Sequence, residues 1–118
     1  MTDQRIKIVE LLIQRTGKGA LPWETGFDDG TFKVDIGSNT VVIGEKKVSG
    51  RATIVVRLYN ELGTLVESFN DEDLKDPEDS QHDYYWFSAM SDLLEAARRK
   101  ALGADEVIQS IIDGLTEV

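Results

Sequence analysis

The side chains with the most chemical potential in this chain gather between Asn70 and Phe87. Asn70 to Asp83 holds seven acids, one lysine, Ser80 and the only histidine, His82, and four of the nine aromatic residues follow directly as Tyr84-Tyr85-Trp86-Phe87. A nucleophilic serine needs an imidazole held within hydrogen-bond reach. Ser80 and His82 stand two residues apart in a Pro77-containing acidic run that reads as a solvated loop, which does not hold them so. Counting from Asp71, acids take the first and third places of a calcium loop, but Lys75 takes the fifth and Asp76 the sixth, where the tight turn requires glycine. The absence of cysteine and the single histidine remove zinc and thiol chemistry together. A working acid–base pair needs one carboxyl whose pKa is raised by burial; Asp35 alternates outward on a strand, and Asp92, Glu95 and Asp113 fall on polar helix faces. Gly17-Lys18-Gly19 follows a helix and lacks the spacing of a phosphate loop. Arg98-Arg99-Lys100 closes a helix, where positive charge complements the negative dipole end, and Glu95 lies three and four residues upstream to pair with the arginines. The expectation is therefore no catalytic residue, no metal site and no cofactor.

The aromatic run points instead to recognition. At about 100° per residue, four consecutive helical side chains span most of the circumference and cannot all face one core. Phe87 lies on the apolar stripe that follows and Trp86 lies beside it, which leaves Tyr84 and Tyr85 pointing elsewhere. Large amphipathic rings flanked by acids are the composition of an interface anchor, so Tyr84, Tyr85 and Trp86 are candidate partner-binding residues. Trp23, alone in an extended Leu21-Pro22-Trp23-Glu24 segment, either plugs the edge of a core or lines a groove, and joins them as a fourth candidate.

The elements that must position these residues are legible in the periodicity. From Asp3 to Thr16, Ile6, Val9, Leu12 and Ile13 recur at helical spacing, with Asp3 able to cap the first amides and Gly17 to Gly19 ending the helix. Strands are predicted over Thr31 to Ile36, Thr40 to Ile43, Arg51 to Tyr59 and Thr64 to Phe69, the first and third showing clear alternation. Their short connections force antiparallel neighbours, hence a four-stranded meander. After the acidic loop at 70–83, Phe87, Met90, Leu94, Ala97 and Ala101 make the stripe of a second helix. Val107, Ile108, Ile111, Ile112 and Leu115 make the apolar face of a third, after a break at Gly103. One sheet with one apolar face needs a cover, and three amphipathic helices can supply it. The prediction is a single α+β domain over 1–118, with an N-terminal helix and two C-terminal helices packed on one face of the meander. The opposite face carries Lys33, Asp35, Arg51, Thr53, Arg57 and Tyr59 and is expected to meet water or a partner.

Thr16-Gly17-Lys18-Gly19-Ala20-Leu21-Pro22-Trp23-Glu24, Asn60-Glu61-Leu62-Gly63 and Leu93 to Ala101 with its Ala97-Arg98-Arg99 stretch give the chain an order of features. That order resembles a group of small uncharacterised bacterial proteins with a short N-terminal helix, a small antiparallel sheet and a helical tail. The resemblance implies the fold and carries over no site residue.

Twenty-two acids against thirteen bases give a net charge of −9, which disfavours nucleic acid and anionic membranes as partners. Six of those nine charges sit in the acidic loop, so the body is nearly balanced and Lys33, Arg51 and Arg57 leave the open sheet face locally basic. Charges interrupt the first apolar stretch and no run approaches the roughly 18 apolar residues of a membrane span, so a cytoplasmic protein without a targeting segment is expected. The functional expectation is a non-enzymatic interaction or accessory module that binds a protein partner, or a second copy of itself, through the aromatic patch, an edge strand or the open sheet face. Two readings stand beside it: an acidic homodimeric chaperone resembling those for secreted effectors, and a small-ligand-binding protein or enzyme with a pocket near Trp23.

Overall fold

A computed structural model describes residues 3–74 and 85–118. Its first helix, α1 (Gln4–Gly17), begins where Asp3 accepts a hydrogen bond from the Arg5 backbone N–H at 2.9 Å, the capping role its position predicts. The five strands run in sequence order across one antiparallel sheet: β1 (Glu24–Thr25), β2 (Thr31–Ile36), β3 (Asn39–Val48), β4 (Arg51–Tyr59) and β5 (Leu65–Asn70). The architecture is the expected α+β meander with one strand more than the alternation alone shows. Only two residues of the extended Leu21 to Glu24 region and its sequel join the ladder, where Glu24 meets Lys33 and Thr25 meets Phe32.

The largest departure along the sheet is β3, expected as a four-residue strand and observed as ten residues. Glu45, Lys46 and Lys47 read as loop by composition, but Ser49 (φ 53°) and Gly50 (φ 78°) form a two-residue turn with both φ positive. That handedness matches the twist of the flanking strands, so Val48 pairs with Arg51 and the ladder closes to its end. At the other side of β4, Asn60 Oδ1 accepts from the Leu62 and Thr64 amides, each at 3.0 Å, and holds the turn into β5. Val66 has no partner there, because Tyr59 pairs with Leu65 and Leu58 with Glu67, which bends the strand end.

Register explains the core. Phe32, Ile43, Val56 and Phe69 stand in one cross-strand row, and all four are buried. Helix α2 (Tyr85–Ala101) lies over this face with α1 beside it, burying Met90, Leu93 and Ala97 against Val9 and Leu12. Between the sheet and α2, a 3-10 helix (Asp71–Leu74) turns the chain. The expectation of a wholly solvated segment from Asn70 onward is corrected at this point. Leu74 joins the core, and Asp71, 7% exposed, accepts a hydrogen bond from the Ile54 backbone N–H at 2.8 Å. Its carboxylate takes over the sheet's bonding pattern where β5 ends, so an acid stands among core positions after all. Asn70 and Asp73 exchange two further bonds to each other's amides, at 2.9 and 3.0 Å, and fix the turn.

One close approach ties the sheet together on its other side. A Cβ on Gly44 would stand 2.8 Å from Thr31 Cγ2, and one on Gly26 would stand 2.3 Å from Thr31 Oγ1. Two glycines therefore make room for Thr31, whose hydroxyl donates to the Asp28 carbonyl at 2.7 Å.

The third helix departs furthest from expectation. Helix α3 (Ala104–Thr116) buries no residue and does not cover the sheet. Gly103, with φ 62° and ψ 40°, ends α2 and begins α3 in a left-handed conformation that redirects the chain. The contacts of α3 are chiefly with the end of α2, where Arg99 Nη2 meets Asp105 Oδ1 at 2.5 Å. The molecule is accordingly 57 Å long with a radius of gyration of 16.1 Å, against roughly 13–14 Å for a compact domain of this length.

Candidate interaction surface

Of the four residues singled out from the sequence the structure describes three, and it brings Tyr85 and Trp86 together. Trp23 is 4% exposed and part of the core, and its indole N–H donates to Thr16 Oγ1 at 2.9 Å. A buried tryptophan with its polar atom already partnered presents nothing to a ligand, so Trp23 is the core plug and not the groove residue. Tyr85 is 57% exposed at the first turn of α2, and Trp86 packs edge-to-face on it with ring centroids 5.0 Å apart. Trp86 and Phe87 also pack partly against the core. Tyr84 lies outside the described residues, as do Ser80 and His82.

The open sheet face is less open and less basic than the alternation implies. Phe27, whose contribution the sequence reading misses, lies over it from the loop before β2. Its ring meets Tyr59 edge-on at 5.6 Å, and the Lys33 ammonium stands 5.0 Å from its centroid. Val42, which points to this face, is 1% exposed. Lys33 pairs with Glu24 at 3.4 Å, Arg57 with Asp28 at 3.6 Å and Arg51 with Glu72 at 3.4 Å. The three cations that were to make the face basic each have an acid beside them, and such pairs leave little net field for an anionic partner.

Several of the described acids do structural work. Asp71 and Asp73 accept from backbone amides, Asp35 accepts from Thr40 Oγ1 at 2.8 Å, and Glu95 accepts from Arg98 at 2.6 and 3.0 Å. The guanidinium of Arg98 holds the Glu95 carboxyl below the usual carboxylate range, and hydrogen bonding to Arg5 does the same for Asp3. Both shifts favour the ionised form, the opposite of what a general acid needs. Among the described residues, no group of three or more His, Asp or Glu side chains is placed to hold a metal ion. A cleft of about 330 Å³ opens between α1 and the end of the sheet, lined by Ile8, Ile36, Val41, Leu58, Tyr59 and Val66 among others. Its volume lies at the small end of ligand pockets, and no acid, base or imidazole lines it.

The surface that stands out is α3. Val107, Ile108, Ile111, Ile112 and Leu115 are between 46% and 71% exposed, and Leu102 extends the row onto the link from α2. At 100° per residue they occupy one arc of about 160°, joined by Ala104 and Gly114 and free of any charged side chain. Glu106, Asp113 and Glu117 fall opposite, and Asp105 borders the arc beside Ile112. Together with Leu102 the arc exposes roughly 600 Å² of apolar surface, the upper limit for patches that soluble monomers tolerate. The sequence signalled this face clearly; what it did not signal is that the face stays uncovered. Among the described residues, no helix is long and apolar enough to cross a membrane, so a bilayer span does not account for it.

No family model, curated protein or solved structure matches the chain.

Proposed function

We propose that the chain is a non-enzymatic interaction module that works by presenting the apolar face of α3 to a protein surface. The observation that supports this reading is the contrast inside the C-terminal half. Helix α2 buries Met90, Leu93 and Ala97, while the more continuous aliphatic stripe of α3 buries nothing. An exposed aliphatic patch of this size gains free energy when association removes it from water. The Tyr85–Trp86 pair, at the far end of α2 and roughly 25 Å away along its axis, is a second and smaller contact point for a partner that reaches along that helix. The cleft beside Ile8 gives less support to a catalytic reading, since no acid, base or imidazole lines it, while Glu95 is held ionised and Asp71 is engaged by a backbone amide.

The test is whether the stripe belongs to the fold. Ile111→Glu with Leu115→Glu places two charges on it, and the unfolding midpoint, measured at low micromolar concentration, should stay within a few degrees of the parent. A large fall in Tm, or loss of helical far-UV signal, would show that the stripe serves this chain's own core and overturn the reading.

A further inference from the structure

We propose that the occupant of the α3 face is the α3 of a second copy of the same chain, packed antiparallel in a two-fold dimer. This rests on the reading of α3 as an interaction surface and names its partner. Three observations carry it.

The first is spacing. Ala104, Ile108, Ile111 and Leu115 follow one another at intervals of four, three and four residues, the repeat that keeps a seam facing a partner helix. Val107 and Ile112 flank this seam and widen it. The stripe is centred between Ile108 and Ile111, so antiparallel pairing about that point sets Ile108 against Ile111 of the other copy and Ala104 against Leu115, and the full length of each stripe is covered.

The second is area. Two faces of roughly 600 Å² can bury at most about 1,200 Å² in total, the lower bound of specific interfaces. An isologous contact uses the same face twice and needs no second surface on the molecule.

The third is charge. A net charge of −9 works against self-association in general, yet Glu106, Asp113 and Glu117 lie on the side of α3 away from the seam, and only Asp105 stands at its margin beside Ile112. The antiparallel register sets Asp113 level with Glu106 and Glu117 level with Leu102 of the other copy, with all three acids turned away from the seam. The two helix dipoles also oppose each other in that arrangement. Parallel packing would align the dipoles.

The experiment is sedimentation or light scattering of the full chain across a dilution series. At about 100 µM the mass should be twice 13.2 kDa, falling towards the chain mass near 1 µM, as a small interface requires. Ile111→Glu with Leu115→Glu, and independently Ile108→Lys, should give the single-chain mass at every concentration with unchanged Tm when dilute. Because the chain has no cysteine, orientation can be read by introducing one at a time. Oxidising a mixture of Ala104→Cys and Leu115→Cys chains should give the mixed disulfide, and Ala104→Cys alone should give little. A parent chain that is monomeric at 100 µM, or a dimer that survives the substitutions, overturns the proposal; self-linked Ala104→Cys overturns the antiparallel arrangement. A monomeric parent whose Tm is also indifferent to the α3 charges leaves the interaction-module reading standing with a different partner, whereas a collapsed Tm removes that reading too.

Discussion

Helices α2 and α3 follow one another through Leu102 and Gly103, are both amphipathic, and meet opposite fates. In α2 the buried positions are Met90, Leu93 and Ala97, and the polar face carries Asp92, Glu95 and Arg98 to water. In α3 the aliphatic residues are larger and more continuous, yet each remains about half exposed or more. The difference lies in geometry and not in composition. The inner sheet face is one row of Phe32, Ile43, Val56 and Phe69 flanked by few others, and α1 and α2 together cover it. The left-handed turn at Gly103 sends the third helix away from the sheet, and none of its residues is buried. An apolar stripe thus records that a helix is to be covered, and says nothing of which surface does the covering.

The comparison can be broken most directly by truncating matched positions. Phe69→Ala, beneath α2, should cost about 3–5 kcal/mol because it deletes a fully buried ring and leaves a cavity. Urea unfolding measures it, and a loss below about 1 kcal/mol would mean that the body is far more loosely packed than described. Next in size is the link between body and helices at Asp71. Asp71→Ala strands the Ile54 N–H without its acceptor and should cost about 1–3 kcal/mol, with Asp71→Asn, which keeps an acceptor oxygen, recovering most of the loss. Equal losses in the two variants would show that the hydrogen bond to Ile54 is not what the carboxylate contributes. Smallest is Ile111→Ala on α3, expected to change monomer stability by about 0.5 kcal/mol or less. A cost near that of Phe69→Ala would erase the contrast between the two helices.

The candidate site was legible only in part, for reasons that attach to particular residues. Trp23 and Tyr85 look alike in composition, and what separates them is that Thr16, seven residues before Trp23, supplies the acceptor that lets an indole be buried. Asp71 reads as the first acid of a solvated run, because nothing local shows that β5 ends beside an unpaired Ile54 amide. Phe27 reads as a loop residue, although Tyr59 and Lys33 provide a platform for its ring from two other strands. In each case the deciding partner is distant in sequence, or its geometry is settled only by folding.

Local order needed no tertiary information. The Asp3 cap, the glycine stops at the ends of α1 and α2, the alternation of β2 and β4, the antiparallel meander and the three helical stripes all follow from interactions within a few residues, where backbone sterics and side-chain periodicity act directly. The ten-residue length of β3 is an intermediate case, since a two-residue turn sets it but only a paired β4 makes it visible. What the tertiary structure alone decided is allocation: which stripe takes the sheet, which acid goes inside, which cation is neutralised, and that α3 is left facing outward. Burial is a competition among all apolar surfaces of the chain for a limited area of contact, and its outcome is a property of the whole arrangement, with no local signature in any one segment.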